Sequence, residues 1–323
     1  MAELPKLKVF LYLAARITGS LALVAVGALA IFLMMHAVPG DAAFARLGEQ
    51  TSPEAVADFR RTNHMDDPVI TQFLDWAWKA VHGDLGTSIS LAGGFSTASL
   101  IGNSLPNTLF IGAYALILAI MGSILAGSIA ASRHGQFVDV AATSTAIVTI
   151  SMPDFWLGYV LVLLFSLQLG WFPAYGFVRP GQSLLGALHT GFLPALAIAV
   201  PMAGVFSRML RSTLLETFRR AYVVAAHAMG FGRLFVFWHY VFRNALIPYV
   251  TAIGLQARYL LGGVVVIERV FGVPGVGSVM VDAAFARDIV VVQGCAVVFL
   301  LIVVGVNLLV DVACGLLDPR RAA

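Results

Sequence analysis

Residues 289–317 read IVVVQGCAVVFLLIVVGVNLLVDVACGLL, and Asp311 is the one charged side chain in this run. A helix needs about 20 mainly apolar residues to cross the hydrocarbon core of a membrane, so this run is long enough to span it. A second run, at residues 193–209, is shorter, and Pro194 and Pro201 are expected to interrupt it. The remaining runs of this kind lie at residues 17–38, 108–131, 142–167 and 246–267. The sequence therefore predicts an all-α integral membrane protein with six transmembrane helices.

The composition agrees with a membrane protein and excludes several other classes. Of the 323 residues, 59% are hydrophobic and 11% are charged, whereas a soluble domain has about 25% charged residues. The net charge of +3 does not indicate nucleic acid, because the basic residues lie between apolar runs and not on one face. Cys295 and Cys314 lie about 28 Å apart along one predicted helix, too far for a disulfide. No CxxC or Cys/His cluster indicates a metal or redox site.

The positions of Lys and Arg predict the orientation of the chain. The first apolar run follows Lys6, Lys8 and Arg16 and exceeds the roughly 7–15 apolar residues of a secretory signal, so we expect an uncleaved first span, with cleavage as the alternative. With the N-terminus in the cytoplasm, most basic residues near span ends fall on the inner side. Both termini are therefore expected in the cytoplasm.

Residues 221–242 are apolar enough to suggest a seventh span. Arg233 lies near the centre of this stretch, between Gly230 and Gly232 on one side and His239 on the other. An arginine at the middle of a bilayer costs at least about 2.5 kcal/mol. We therefore expect six spans, with residues 210–245 forming one cytoplasmic loop.

The segment between the first two spans, residues 40–106, is predicted to contain two short amphipathic helices. Ser52 and Pro53 form a helix start, with proline at the first helical position. A second helix is indicated by apolar residues at helical spacing after Asp67 and Pro68. We interpret the segment as a packed cap over the outer mouth of the bundle.

The cytoplasmic loop contains an uncharged stretch, YVVAAHAMGF at 222–231. Its spacing places Tyr222, Ala225, Ala226 and Met229 on one helical face, and Gly230 is suited to end the helix in a left-handed cap. An exposed apolar face of this kind is typical of an interface with a partner protein. The alternative is a helix that lies among the lipid headgroups.

These residues resemble the EAA loop of the oligopeptide/dipeptide permease family of bacterial ABC importers, specifically the B-type subunit. Ala225, Ala226 and Gly230 match its core, and RNALIP at 243–248 resembles the segment that closes it. The resemblance extends over nearly the whole chain in matching order. Its further pieces are HAVPGD at 36–41, GDLGTS at 83–88, LPNTL at 105–109, SMPDFW at 151–156, GGVVVIERVF at 262–271, PGVG at 274–277, NLLVD at 307–311 and LDPR at 317–320.

The resemblance implies a type I ABC importer permease fold and a set of partners. A second homologous permease would complete the pathway, two cytoplasmic ATP-binding subunits would supply ATP and Mg²⁺ chemistry, and an extracytoplasmic substrate-binding protein would deliver peptides or similar solutes. Residues 1–99 would form the first span and outer loop region, and residues 100–318 the importer transmembrane domain. The coupling helix that contacts the ATPase would include Ala221, Tyr222, Ala225, Ala226, Met229, Gly230 and Phe231.

The sequence departs from the family at this helix. An acid usually precedes the tyrosine and basic residues surround the alanines, whereas this chain has Ala221, Val224, His227 and Met229 at those places. Charged contacts with an ATPase would therefore be fewer.

Other functions are less well supported by the sequence. The three lysines lie in no Walker A motif, so the chain itself is not expected to bind ATP or to be an enzyme, and no HExxH or GxSxG motif indicates a hydrolase. An ion-coupled secondary transporter is the main alternative, with a structural membrane protein behind it. Such a transporter needs ionisable residues inside the bundle, and few are present.

A few charged residues are candidates for the translocation pathway and its outer rim. Arg258 lies in the fifth run and could attract an anionic group, or it could pair with Asp154 or Asp311. Asp154 follows Pro153 at an expected kink of the third run. Glu268 and Arg269 are candidates to contact the substrate-binding protein or to fold a re-entrant outer loop.

Overall fold

A computed structural model gives the fold of the chain. It describes residues 4–37, 52–62, 66–88, 90–91 and 94–317, except for the side chains of residues 4–14, 59, 247, 255, 257–261 and 313–317. Within these residues the structure is helical, and the β-structure there is an isolated bridge between Thr87 and Ser96.

The helices of the N-terminal half comprise two long helices and shorter ones between and after them. Both predicted amphipathic helices are confirmed, as α2 and α3, and the backbone N–H of Ala55 donates to the Ser52 hydroxyl at 3.3 Å. A π-helical segment, Val162–Gln168, continues the last helix of this half. The helices are α1 (Leu4–His36), α2 (Pro53–Thr62), α3 (Val69–Val81), α4 (Thr97–Ser132), α5 (Phe137–Ser151) and α6 (Asp154–Leu161).

The C-terminal half contains the other long helices. A π-helical segment, Phe237–Phe242, joins two of them without a break. The helices are α7 (Leu184–Phe218), α8 (Ala221–Ala228), α9 (Arg233–Val236), α10 (Arg243–Phe271), α11 (Val276–Phe285) and α12 (Ile289–Leu317).

Length and composition make four of the described helices candidate membrane spans, or six if each of two interrupted helix pairs counts as one span. The four are Ala15–His36, Thr97–Ser132, Leu184–Phe218 and Ile289–Val312. Residues 221–242 are not among these candidates, because the glycine-containing break at 229–232 separates α8 from α9. The stretch is therefore not a candidate span, as predicted, but residues 210–218 of the predicted loop belong to α7, and α9 continues through the π-helical segment into α10.

One expectation about proline is confirmed and one is wrong. The kink expected at Pro153 is present, because α5 and the helix that starts at Asp154 are bent by 106° there. The predicted interruption of the fourth span is wrong, because Pro194 and Pro201 lie inside the continuous helix α7. Proline is tolerated in a membrane helix when neighbouring groups satisfy the freed carbonyls.

The chain forms two compact units by its internal contacts. The larger unit comprises Met1–Ile17, Leu109–Val273 and Gly305–Ala323, and the smaller unit comprises Thr18–Thr108 and Pro274–Val304. Helix α7 supplies much of the buried core of the larger unit, including Phe206, Leu210 and Leu214.

Small residues allow the helices of the larger unit to approach closely. A Cβ atom at Gly204 of α7 would lie 2.6 Å from the Thr149 hydroxyl and 2.9 Å from the Ala146 carbonyl oxygen of α5. Close backbone approach at small residues is the usual way in which membrane helices gain packing energy.

A buried ion pair also joins α5 to α7. The Asp139 carboxylate accepts hydrogen bonds from Arg211 Nη2 at 2.8 Å and from the Gly135 backbone N–H at 2.9 Å. His134 Nδ1 lies 3.0 Å from the same carboxylate. Between α1 and α12, Arg16 pairs with Asp311 at 3.2 Å, so the acid considered as a partner for Arg258 is bound to another arginine.

Asp288 holds the loop after α3 in the smaller unit. Its Oδ2 atom accepts hydrogen bonds from Ser88 Oγ at 2.7 Å and from the backbone N–H groups of Ser90 and Leu91 at 3.0 and 3.2 Å. Burial raises the pKa of Asp288, but these bonds and one from the Val291 N–H outweigh it and hold the pKa below its ordinary value.

Candidate functional site

The predicted coupling segment forms a short capped helix, α8. Arg220, in an extended conformation, precedes the helix, and Gly230 follows it with a φ of 84°. The Phe231 N–H donates to the Ala226 carbonyl at 3.3 Å and the Gly230 N–H to the His227 carbonyl at 3.0 Å. This pair of bonds is a Schellman motif, which confirms the left-handed cap predicted at Gly230.

Two side chains of α8 anchor it to the core of the larger unit. Val223 and Ala226 are completely or almost completely buried. They belong to the same core cluster as Val236 and Val241, which follow α8 in the chain. The helix is therefore fixed on one side by the protein itself.

The exposed face of α8 differs from the predicted one. At 100° per residue, burial of Val223 and Ala226 directs the opposite face outward. That outward face consists of Ala221, Val224, Ala225 and Ala228. Ala226 was expected on the exposed face, and this expectation is wrong because its side chain is 0% exposed.

Larger apolar side chains flank this outward face. Tyr222 and Phe231 are exposed to 42% and 41%, and Met229 to 68%. Phe231 stacks on Phe235 with ring centroids 5.3 Å apart, so the cap of α8 continues into an aromatic group on α9. We call α8 with Met229, Gly230 and Phe231 the docking segment.

Val224 and Phe235 are exposed parts of this surface that the sequence did not predict. The exposure of Val224 follows from the rotation of α8, because the spacing of Val223 and Ala226 is equally consistent with a buried face. Phe235 lies on α9 and is exposed as well. A sequence with apolar residues on all sides of a short helix does not define which side is buried.

A cavity of about 390 Å³ lies inside the larger unit. It is bordered by α5, the first residue of α6, α7 and α10. The lining residues are Ile150, Asp154, Ile198, Pro201, Met202, Val205 and Gln256. The cavity is thus mostly apolar, with one carboxylate and one amide.

Asp154 reaches this cavity because of the break at Pro153. Pro153 has an extended conformation (φ −64°, ψ 137°) and Asp154 begins α6 behind it. A Cβ atom at Gly263 of α10 would lie 2.7 Å from Asp154 Oδ2, so glycine at 263 leaves room for the carboxylate. The side chain of Arg258 lies outside the described residues, and its predicted role stays a prediction.

The two residues predicted at the outer rim have different environments. Glu268 is completely buried, whereas Arg269 is exposed. Glu268 is therefore not available to a binding protein in this structure, because no part of its side chain reaches the surface. Among the residues described, no group of three or more His, Cys, Asp or Glu is arranged to hold a metal ion.

The sequence matches two parts of one family of transport proteins. Residues 123–323 match the family described as binding-protein-dependent transport system inner membrane component, and residues 9–109 match the N-terminal part described for the same kind of protein. The chain belongs to this family. The bent helices, the capped segment at 221–231 and the cavity are thus features of a multi-pass permease of the inner membrane.

Curated relatives cover nearly the whole permease. A putative peptide transport system permease protein of Brucella suis is 36% identical over 305 residues, which cover 94% of this chain and 96% of the relative. The oligopeptide transport system permease protein of Bacillus subtilis is 34% identical over 291 residues, covering 90% and 92%. A di/tripeptide transport system permease protein of Pseudomonas aeruginosa is 33% identical, with the same coverage.

Solved structures share the fold at low sequence identity. The inward-facing MetNI methionine ABC transporter has a chain that matches 68% of this permease and 97% of its own length, with a TM-score of 0.57 and 16% identity. An amino acid ABC transporter solved with histidines matches 66% and 92%, with a TM-score of 0.52 and 13% identity. The predicted type I ABC importer fold is confirmed.

Proposed function

We propose that this permease conducts peptides or peptide-like solutes into the bacterium as one subunit of an ATP-driven importer. The relatives named for peptide, oligopeptide and di/tripeptide transport support this substrate class. The remaining subunits would be a second homologous permease, two cytoplasmic ATP-binding subunits and an extracytoplasmic substrate-binding protein. ATP and Mg²⁺ would bind to the ATP-binding subunits and not to this chain, which is not itself an enzyme.

The docking segment carries this proposal. Its backbone is fixed by the Gly230 cap and by the buried Val223 and Ala226, while its outward face is apolar and consists mainly of alanine. Small side chains let a helix backbone lie deep in a groove of a partner. We therefore expect this rigid, exposed, apolar helix to bind an ATPase subunit and to follow its nucleotide-dependent movement. A free loop would need neither a rigid backbone nor an apolar outward face.

We assign the pathway to the cavity beside Asp154. The cavity borders the Pro153 break between α5 and α6, so a change in this bend would change the volume of the cavity. Asp154 would attract the positively charged end of a peptide, and Arg258 would attract an anionic group.

We also propose that Arg269 contacts the substrate-binding protein. We also propose functional regions at 1–99 and 100–318, with the docking segment in the loop at 210–245.

The test is purification of the tagged permease from mild detergent, with identification of the proteins that accompany it. Val224→Asp and Ala225→Asp place a charge on the outward face and should remove the ATP-binding subunits while the second permease remains. Gln136→Asp, at another exposed loop position, is the matched control and should keep all subunits.

The two contrary outcomes have distinct meanings. Retention of the ATP-binding subunits by both α8 variants would exclude this face as their contact. Transport by the purified chain alone, in liposomes without ATP, would support the ion-coupled secondary transporter instead.

A further inference from the structure

Helix α3 presents three different faces along its length. One face packs on α1, one is polar, and one is apolar and exposed. The polar face contains Asp75 and Lys79, which pair at 3.6 Å, and Thr71 lies at its border with the apolar face. The two exposed charges of this face balance each other.

Contacts with the end of α1 fix the position of α3. The rings of Phe73 and Trp76 lie 5.5 and 5.9 Å from that of Phe32, measured between centroids. His36 Nε2 lies 3.2 Å from Gln72 Oε1. Because the candidate span in α1 runs from Ala15 to His36, these contacts place α3 at the level where the span leaves the hydrocarbon.

The exposed apolar face of α3 is a continuous row. Ile70, Leu74 and Trp78 are spaced by one helical turn, and Val81 completes the row. These four side chains are 57%, 61%, 69% and 83% exposed. Leu33 and Met34 of α1, next to the Phe32 contact, are exposed as well, so the apolar surface of the span continues onto α3.

We propose that this row is a membrane anchor that inserts into the boundary between lipid headgroups and acyl chains. An interfacial helix combines an apolar face with a polar one and has aromatic residues at headgroup level. In α3 the polar face lies beside the apolar row, and Trp78 belongs to the row. Since Asp75 and Lys79 balance each other, the attraction is to the apolar part of the lipid and not to anionic headgroups. The anchor fixes the depth of the segment between the first two spans.

Spin-label accessibility tests the anchor in the assembled importer. The native cysteines are replaced by alanine, and Leu74→Cys, Trp78→Cys and Lys79→Cys are labelled one at a time in phosphatidylcholine nanodiscs. Labels at 74 and 78 should collide more often with oxygen than with a water-soluble nickel complex. The label at 79, on the polar face, should show the reverse preference.

Three contrary results would each overturn the proposal. A row that is accessible to the nickel complex lies in water, and a row shielded from both reagents is covered by another protein subunit. Insertion that occurs only after phosphatidylglycerol is added would make the anchor electrostatic and not apolar. If the cysteine-free chain does not assemble, tryptophan fluorescence of the native chain is measured in brominated lipid instead. The lipid should quench part of this fluorescence, and the quenched fraction should be smaller in Trp78→Phe.

Discussion

At the scale of single residues, Asp154 is the polar group with the clearest functional potential. It borders a mostly apolar cavity, where a carboxylate interacts more strongly with a cation than it does in water. Its position depends on Pro153, which immediately precedes α6, and on Gly263, which leaves room for it.

Asp154→Asn should slow uptake of peptides with a free amino terminus. A hydrogen bond to a charged group contributes about 1.5–3 kcal/mol, so the loss should be about ten-fold or more. Uptake of labelled peptide into proteoliposomes measures it, with Asp75→Asn on α3 as an exposed acidic control. Equal uptake by wild type and Asp154→Asn, at equal assembly, would remove Asp154 from the pathway.

Ala225 and Ala226 provide a matched pair on α8. Ala226 is completely buried and Ala225 is exposed, and overpacking a core costs about 1–3 kcal/mol. Ala226→Leu should therefore lower the thermal stability of the detergent-solubilised permease, while Ala225→Leu should leave it unchanged and weaken ATPase binding. The opposite ranking in stability would mean that α8 is rotated from the orientation described.

At the scale of elements, sequence periodicity predicted the helices well and their orientation less well. The apolar runs, the amphipathic pair α2 and α3 and the cap at Gly230 follow from local rules of length, spacing and turn chemistry. The rotation of α8 does not, because Val223 and Val224 are chemically alike and only the surrounding core distinguishes them. The ion pair between Asp139 and Arg211 joins residues distant in sequence, so no local pattern indicated it.

The loop held by Asp288 should be sensitive to acid. The pKa of Asp288 is lowered in the folded protein, so its contribution to stability is complete above the ordinary aspartate value and is lost as pH falls through the folded pKa. Thermal stability should thus decrease below about pH 4. Asp288→Asn should start from a lower stability and show a flatter profile, whereas identical profiles would show that the Asp288 bonds contribute nothing.

At the scale of the whole molecule, the fold class and the family could be predicted because they rest on long, redundant signals. The prediction rests on six apolar runs and on several motifs in matching order, so it does not depend on any single residue. The candidate pathway could be predicted only in part, since the cavity depends on how α5, α7 and α10 pack around the bend at Pro153.

Both termini should lie in the cytoplasm. The basic residues near the span ends favour this orientation, because Lys and Arg are retained on the inner side. A green fluorescent protein fused to either terminus should fluoresce, and alkaline phosphatase at the same sites should be inactive. Active phosphatase at one terminus would require an odd number of spans.

The absence of charge on the outward face of α8 affects which ATP-binding subunits the permease can accept. Charge complementarity normally lets a protein reject incorrect partners, and it makes binding sensitive to ionic strength. A contact made by alanine and valine has neither property. ATP-binding subunits encoded for one importer could then serve another, and the supply of energy would be shared among permeases that differ in what they carry.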